Sequence, residues 1–485
     1  MVGTRRPNLV IIVMDTQRVA NMGCYGYPRA TTPNVDAVAL EGTTCLNNIS
    51  PAAWTLPSHA SLWTGKYVTS HGADIRHEYL EPGLPTLPEV LNEMGYWTGA
   101  ICANAWAASP AGNHRGFAWF PDGAELARLR QGFSPAVQRV LKQRDQESDA
   151  GSLFHVLLGI EQIERRRRSG DPFFLFINCT EPHTPCWPPQ PYRGRFLPAP
   201  VSDREARAVV QEPWKITTGA VKLTARQWRI IKALNDGETA TLDATLGLLF
   251  HHLRRTDLID DTILIVTSDH GDELGEHPPF MTHVLTVYDT VVRVPLVIRY
   301  PTAFPPRKKL HRLTQTLDIF PTLMDILDHR DPGVLQELQG ISILDHLRGR
   351  GYRTWALAEH DRPMQVFERY LTRNPRADMR WADRSLKAFY QGRFKYIWAS
   401  NGQDELYDLR EDPGERRNLA RKEAGQAARM RRKLEDRLLS FPPRNLPDYL
   451  NESPQKQGDV RTLARLRAWG IYNDKLPPRG KPRFE

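Results

Sequence analysis

Four separated segments of the sequence carry side chains that could act together on an anionic ester: Asp15, Thr55, His183 and the pair Asp269-His270. Two carboxylates and an imidazole form a ligand set for a divalent cation. The imidazole shifts the preference from Ca²⁺ toward Mn²⁺, Zn²⁺ or Fe²⁺. A threonine hydroxyl is too weak a nucleophile without help. A metal ion beside it would lower the hydroxyl pKa and screen the charge of an incoming sulfate or phosphate.

Two histidines could complete such a site. His183 follows a buried apolar segment, and His283 lies in a loop beyond the Asp269-His270 pair. A side chain that titrates near neutrality can bind an anion or protonate a leaving oxygen. Each histidine alone is more often a satisfied polar residue than a catalyst, and only their combination with the acids favours a catalytic interpretation.

The stretch 54–65 (W-T-L-P-S-H-A-S-L-W-T-G) delivers the hydroxyl to the first turn of a predicted helix. We expect Thr55 to be the N-cap, with Pro57 tolerated in the first turn. A hydroxyl there lies near free backbone N–H groups and the positive end of the helix dipole, which stabilise an anion. From this stretch alone an ordinary helix cap is the favoured interpretation.

The apolar segments that precede these residues predict the elements that position them. Asn8–Met14, 173–178 and 262–268 are continuous β-branched or aromatic runs of the kind that parallel sheets bury on both faces. Each run ends in polar residues, and ligands of open α/β sheets gather at the carboxyl ends of the strands. Helical segments alternate with these strands. The pattern predicts an α/β fold with a large mixed, mostly parallel sheet sandwiched by helices.

The pattern changes after about residue 350. Four short predicted strands at 354–359, 385–390, 393–398 and 405–408 are followed by a charged helix at 422–439. We therefore predict a catalytic α/β domain over 1–350, a small C-terminal antiparallel sheet with a helix over 351–440, and a Pro-rich tail over 441–485. A possible helix lies at 460–469, and the arginine-rich segment 122–170 is predicted to be mostly helical.

Composition restricts the class of protein. The chain of 485 residues has a formal charge of +9 and five scattered cysteines with no metal-ligand spacing. Reduced thiols and the absence of a signal-peptide pattern or membrane span predict a cytoplasmic protein. The charge suits either solubility or an anionic substrate. Because the basic residues lack interleaved aromatics, we expect no nucleic-acid partner. Because no stretch approaches the length of a membrane span, we expect no membrane partner. The sequence leaves the oligomeric state unknown.

Eight segments that run in order along the chain resemble the sulfatase family of the alkaline phosphatase superfamily. They read N-L-V-I-I-V-M-D-T-Q-R, C-Y-G-Y-P-R-A-T-T-P-N-V-D, W-T-L-P-S-H-A-S-L-W-T-G, E-P-H-T-P, T-S-D-H-G-D-E-L-G-E-H, V-R-V-P-L-V-I-R, L-D-I-F-P-T-L and E-L-Y-D-L-R-E-D-P-G-E-R-R-N-L-A. Each segment alone is a weak signal, whereas the ordered set is very specific. The last segment resembles the family's C-terminal signature.

The resemblance implies an alkaline phosphatase/sulfatase-like fold and a metal-dependent hydrolase of small anionic sulfate or phosphate esters. It implies one divalent metal ion (Mn²⁺, Zn²⁺ or Ca²⁺). The implied roles are metal ligation by Asp15, Thr55, Asp269 and His270, nucleophilic attack by Thr55, anion binding by His183 and leaving-group protonation near His283.

Several residues depart from the family pattern. Sulfatases place a cysteine or serine, oxidised to formylglycine, where this chain has Thr55, and threonine cannot give that aldehyde because its β-carbon carries a methyl group. His59 replaces the motif arginine and is a weaker, pH-dependent ligand for the substrate anion. Thr16 replaces a second acid. The family's lysine and histidine have no clear match around 104–107, where we expect Asn104 to contribute a hydrogen bond to the substrate.

A threonine nucleophile resembles that of phosphodiesterase, phosphomutase and phosphoethanolamine-transferase relatives. The sequence therefore favours attack by Thr55 on phosphorus, without formylglycine and through a covalent intermediate. Three alternatives stay open: a sulfuric ester hydrolase of the arylsulfatase type, a phospho-group transferase, and a degenerate member that binds an anion without chemistry.

Overall fold

The structure is a computed structural model that describes residues 6–102, 104–108, 111–146, 151–277 and 280–441. The predicted tail lies outside these residues apart from residue 441, and so does the possible helix at 460–469. Within the described residues none of the five cysteines forms a disulfide bond, as the scattered spacing indicates. No helix among them is both long and apolar enough to cross a membrane. The cytoplasmic location stays a prediction.

A seven-stranded sheet forms the centre of the molecule, with the spatial order β3-β4-β1-β5-β6-β2-β7. Its strands are β1 (Asn8–Met14), β2 (Thr43–Ile49), β3 (Trp97–Cys102), β4 (Phe173–Cys179), β5 (Thr262–Thr267), β6 (Leu296–Arg299) and β7 (Lys308–Gln315). Only β6 runs against the others. The prediction of a large mixed, mostly parallel sheet is confirmed.

Seventeen helices of four residues or more surround the sheets in the described part of the chain. They are α1 (Pro33–Leu40), α2 (Thr55–Thr64), α3 (Val68–His71), α4 (Leu87–Glu93), α5 (Gly123–Gln131), α6 (Pro135–Gln146), α7 (Ser152–Ser169), α8 (Tyr192–Phe196), α9 (Asp203–Arg207), α10 (Pro213–Thr217), α11 (Ala225–Arg255), α12 (Asp289–Val292), α13 (Ile319–Ile326), α14 (Pro332–Leu335), α15 (Ile343–Arg348), α16 (Met364–Arg373) and α17 (Ala424–Ser440).

The central strand β1 shows why both faces of the sheet are covered. Val10, Ile12 and Met14 pack among side chains of α1, α7 and α11 on one face. The alternate residues Leu9, Ile11 and Val13 pack with side chains of α2, α4 and α13 on the other. Since successive side chains of a strand point to opposite faces, an all-apolar strand must be covered on both sides.

A second sheet of four antiparallel strands has the order β11-β10-β9-β8. Its strands are β8 (Trp355–His360), β9 (Leu386–Gln391), β10 (Phe394–Ala399) and β11 (Glu405–Asp408). One face packs on residues around α12, and the other packs on α17. The domain boundary placed after residue 350 stays a prediction.

Parallel pairing brings the polar segments to one edge of the large sheet. β1, β3, β4 and β5 all run in the same direction, so their carboxyl ends lie side by side. Asp15 follows β1 directly, Asn104 follows β3, and Asp269 follows β5. This edge is the candidate site, as the sequence predicts for an α/β sheet.

Candidate active site

Asp15, Asp269 and His270 form a compact buried group. One ligand atom from each lies within 4.8 Å of the other two, and this is the group of potential metal ligands found among the described residues. Nε2 of His270 lies 3.3 Å from Oδ2 of Asp269 and 3.8 Å from Oδ1 of Asp15. The fold therefore brings together the three residues that the sequence predicts as metal ligands.

The backbone fixes the orientation of the His270 ring. Nδ1 faces the carbonyl oxygen of Gly271 at 2.9 Å, and we assign the ring proton to Nδ1 because a carbonyl can only accept. Nε2 is then left with a lone pair that points toward the two carboxylates. Burial lowers the pKa of His270 to about 4, so the ring is neutral near pH 7. A neutral imidazole held by a backbone hydrogen bond is the form that ligates metals.

Two carboxylate oxygens in this group lack a hydrogen-bond partner within the described residues. They are Oδ1 of Asp15 and Oδ2 of Asp269, and both are buried. Burial, followed by the charge of Asp269, holds the pKa of Asp15 well above its usual range. Orphaned buried carboxylate oxygens beside a neutral imidazole fit a divalent cation, because the cation would offset both the desolvation and the repulsion. The residues present therefore fit the metal ion that the family implies.

Thr55 begins α2 beside this group. Its Oγ1 lies 3.4 Å from Nε2 of His270, which places the hydroxyl proton toward that nitrogen. Nδ2 of Asn104 donates to Oγ1 of Thr55 at 3.0 Å and to Oδ2 of Asp15 at 2.7 Å. Asn104 thus joins the hydroxyl to the acidic group. Thr55 is 4% exposed, so the hydroxyl is held at the inner end of the site.

The N-cap assignment from the sequence is wrong. The structure has Trp54 as the N-cap, with extended backbone (φ −156°) and no side-chain cap bond, and Thr55 is the first helical residue. A threonine N-cap would use its oxygen on a backbone N–H of the first turn. The Thr55 hydroxyl instead bonds to Asn104 and faces His270, so it is available for chemistry rather than for capping.

His59 lies one turn further along α2, beneath Thr55. Nδ1 of His59 donates to the carbonyl oxygen of Thr55 at 2.9 Å and lies 3.9 Å from Oδ2 of Asp269. Nε2 is buried without a partner in the described structure and borders a cavity of about 10 Å³, the size of one water. Burial lowers the pKa of His59. The structure therefore places this predicted substrate ligand against the helix and Asp269.

Thr16 occupies the place of the expected second acid and supplies a backbone contact. Its N–H points to Oδ1 of Asp269 at 3.4 Å, and its φ of 60° is in the left-handed region. That conformation is unfavourable for a β-branched residue, by an amount on the order of 1–3 kcal/mol. The strand end next to Asp15 is thus held in a strained turn that aims an N–H at the second carboxylate.

His183 and His283 face each other across the site. Their ring centroids are 5.4 Å apart, and the His283 ring lies 4.3 Å from that of His270. Nδ1 of His183 donates to the carbonyl oxygen of Thr184 at 2.6 Å. Burial, together with the neighbouring His283, lowers the pKa of His183. The fold therefore brings both predicted histidines to the metal-ligand group.

Asp272 is a site residue that the sequence interpretation missed. Its Oδ1 lies 3.5 Å from Nδ1 of His283, and its Oδ2 lies 3.3 Å from the Thr184 hydroxyl. It therefore fixes the orientation of one histidine and the loop of the other. In the sequence, its position two residues after His270 is the feature that could have identified it as a site residue. The glycine between them is required, since a Cβ on Gly271 would lie 2.1 Å from the backbone oxygen of Thr290.

Comparisons with known protein families agree with this geometry. The family model described as "Sulfatase" matches residues 7–329, and "N-sulphoglucosamine sulphohydrolase, C-terminal" matches residues 275–442. The uncharacterized sulfatase YidJ of Escherichia coli is 24% identical over 470 residues, covering 90% of this chain and 87% of its own. The N-acetylglucosamine-6-O-sulfatase of Bacteroides thetaiotaomicron is 24% identical, covering 86% of this chain and 83% of its own.

Solved structures share the fold. The phosphonate monoester hydrolase of Agrobacterium radiobacter superposes with a TM-score of 0.69 at 24% identity, over 90% of this chain and 95% of its own. A 2-O GAG sulfatase, BT1596, superposes with a TM-score of 0.67 at 21% identity, over 94% of this chain and 96% of its own. At these identities the likeness concerns the architecture. It places enzymes named for phosphonate esters and for sulfate esters on the same scaffold.

Proposed function

This chain belongs to the sulfatase family and is an ester hydrolase, and we propose that it hydrolyses phosphate mono- or diesters with Thr55 as the nucleophile. One observation carries the proposal. The Thr55 hydroxyl accepts a hydrogen bond from Asn104 and faces His270 beside two unpartnered carboxylate oxygens. A structural threonine would not need this arrangement, whereas a nucleophile next to a cation does.

The sulfatase family is metal-dependent, and Asp15, Asp269 and His270 would hold the divalent ion here. When bound, the ion lowers the pKa of the nearby hydroxyl and offsets the charge of the ester. Thr55 is proposed as a further ligand through its oxygen. Asn104 keeps that oxygen oriented, since its single amide nitrogen donates to Thr55 and to Asp15 at once.

The proposed reaction has two displacements at phosphorus. The Thr55 hydroxyl loses its proton to solvent before the first cycle. Its deprotonated Oγ1 then bonds to phosphorus as the bond to the alcohol oxygen breaks, and His283 gives the leaving oxygen a proton. A water molecule then gives its proton to His283 and attacks the phosphothreonine, releasing phosphate and the Thr55 oxygen. In this proposal Asp272 orients His283, and His183 contacts the anion. His59 packs against α2 and Asp269, so the proposal gives it no contact with the anion.

Phosphate is favoured over sulfate because of the nucleophile itself. A formylglycine hydrate can expel sulfate by breaking its own C–O bond, and Thr55 has no second hydroxyl on its β-carbon for that step. A phosphothreonine can be resolved by attack of water on phosphorus. A sulfuric ester hydrolase is the second candidate, and the sulfatases among the relatives favour it. A transferase would use an acceptor alcohol in place of water.

Replacement of Thr55 tests the proposal. We expect Thr55→Ala to lower turnover of aryl phosphate mono- and diesters at least about 10³-fold, and Thr55→Ser to keep most activity because the hydroxyl returns. Thr64→Ala is the matched control, because Thr64 is a buried threonine on the same helix whose hydroxyl donates to Ala60. Undiminished turnover by Thr55→Ala with an unchanged unfolding temperature would remove Thr55 from the mechanism.

A substrate and metal panel separates the candidate functions. Each purified variant is assayed with aryl phosphate, phosphodiester, phosphonate and sulfate esters after loading with Mn²⁺, Zn²⁺ or Ca²⁺. Faster turnover of the phosphoryl esters supports the proposal, and faster turnover of the sulfates supports the sulfuric ester hydrolase. Product formation that requires an added alcohol indicates a transferase. A protein that binds anions but turns over none of the esters is the degenerate member.

A further inference from the structure

A groove of about 590 Å³ lies between the large sheet and the small sheet, away from the candidate active site. β2 and β7 form one wall, and the hairpin of β9 and β10 forms the other. Ile49 and Tyr390 are buried at its base, and Leu313 is half-buried there. None of the residues assigned to the active site lines it. Its volume falls within the range of small-molecule sites.

Arginines dominate the rim of this groove, and three of them form no ion pair of 4 Å or less within the described residues. Arg293 donates Nε and Nη2 only to the carbonyl oxygen of Leu46, at 3.2 and 2.7 Å. The exposed Arg312 lies 3.5 Å over the ring of Tyr352. Arg410 is exposed at the far wall. The positive charge of these guanidinium groups is therefore not offset by an ion pair within the described residues.

The acids near the groove already have partners. Asp408 pairs with Arg393 at 3.1 Å, and Asp318 pairs with Arg353. Asp289 receives Lys395 at 2.9 Å and the hydroxyl of Tyr390 at 2.8 Å. The groove therefore carries an excess of positive charge over an apolar base, and a concave wall of low polarity concentrates that field.

We propose that this groove binds a small organic anion that carries two or more phosphate or sulfate groups. Arg293, Arg312 and Arg410 would each meet an anionic oxygen, because a planar guanidinium matches the geometry of phosphate and sulfate. The apolar base would contact the carbon skeleton of the ligand. The site is separate from the ester at Thr55, so the proposal does not depend on the reaction there.

Calorimetric titration with fructose 1,6-bisphosphate tests this site in the full chain. The titrations use a Thr55→Ala background so that the probe is not consumed. The test variant adds Arg312→Ala and Arg410→Ala, and the charge-matched control adds Arg204→Ala and Arg432→Ala, two exposed arginines outside the groove. We expect the test variant to lose one equivalent of bound probe or to bind it at least about tenfold more weakly, with the control unchanged.

The number of charged groups on the probe gives a second readout. Fructose 6-phosphate should bind the groove at least about tenfold more weakly than the bisphosphate, since one contact is lost. Equal stoichiometry and affinity in the parent, test and control proteins would overturn the proposal. So would a groove-dependent affinity for a single-stranded DNA oligonucleotide in a protein that does not bind the bisphosphate, because the groove would then serve a nucleic acid.

Discussion

Two buried clusters of charged side chains adjoin the short helix α12 and are built on different principles. The active-site cluster (Asp15, Asp269, His270) reaches α12 through Gly271, whose N–H donates to Val291 O at 2.6 Å. The junction cluster (Lys395, Asp289, Glu415) joins α12 to the small sheet, with Nζ of Lys395 2.9 Å from Asp289 and 2.6 Å from Glu415.

The two clusters differ in whether their carboxylates are paired with a cationic side chain of the protein. The junction cluster contains its own cation, and the Tyr390 hydroxyl and the Asp289 N–H add hydrogen bonds to it. The active-site cluster has two carboxylates, a neutral imidazole and two unpartnered oxygens. The junction cluster holds its own counter-ion, whereas the active-site cluster depends on a ligand to supply one. Substitutions in the two clusters should therefore affect different properties.

The largest expected effect is on activity, from Asp15→Asn. Removing one metal ligand should lower turnover at least about 10³-fold. The metal-free variant should nevertheless unfold at a higher temperature than the metal-free parent at pH 7, because burial and Asp269 disfavour an ionised Asp15. Activity assays and thermal unfolding in chelator measure the two effects.

The pH dependence of that stability gap has a definite sign. The folded-state pKa of Asp15 lies above its unfolded value, so the unfavourable contribution is absent at low pH and grows as pH rises above about 4. The advantage of Asp15→Asn should grow in the same direction. A variant that unfolds at a lower temperature than the parent at pH 7 would contradict the idea that this cluster is incomplete without a ligand.

The next effect is on stability, from Lys395→Met in the junction cluster. Loss of the only cation leaves Asp289 and Glu415 buried together, and breaking a buried pair in this way costs about 3–5 kcal/mol. Arg431→Met on α17 is the control, because Arg431 and Glu435 are both about half exposed and their pair should be worth about 0–1 kcal/mol. Denaturant unfolding measures both. An equal loss of unfolding free energy in the two variants would contradict the proposed difference between the clusters. So would a Lys395→Met protein that stays folded but loses turnover.

The smallest effect is the pH response of Glu415→Gln. Burial and the neighbouring Asp289 raise the pKa of Glu415 to about 7, above its ordinary value of 4.5. In the parent, Glu415 therefore makes its full contribution to the free energy of unfolding below about pH 4.5, and this contribution is lost as pH rises through 7. Glutamine resembles the protonated acid, so the variant should match the parent at pH 5 and gain about 2 kcal/mol relative to it by pH 8. A gap that stays constant with pH would show that Glu415 does not titrate in this range.

The sequence could predict the central strands and the residues at their ends, because both depend on local pattern. β1, β4 and β5 are continuous apolar runs, and each is followed by the polar residues that form the site. β2 and β7 were not predicted, since T-T-C-L-N-N-I and K-K-L-H-R-L-T-Q are too polar for that signal. They lie together at one edge of the sheet, where strand formation depends on pairing with distant residues.

The parts of the site that escaped prediction depend on distances between elements. Asp272 can be assigned to the site only when the fold shows that His283 lies 3.5 Å from it. The orientation of the Thr55 hydroxyl depends on Asn104, which follows a different strand. The arginine groove likewise forms from β2, β7 and a hairpin far apart in sequence. Residue types indicated the chemistry, and tertiary packing decided which atoms meet.

The most direct test of the proposed chemistry is to trap the phosphothreonine. The metal-loaded protein is quenched in acid during turnover of an aryl phosphate ester, digested, and analysed by mass spectrometry of the peptide that contains residues 54–65. We predict a phosphoryl group on Thr55 in the parent and none in Thr55→Ala. Turnover by the parent with an unmodified Thr55, or with the phosphoryl group on another residue, would contradict the account.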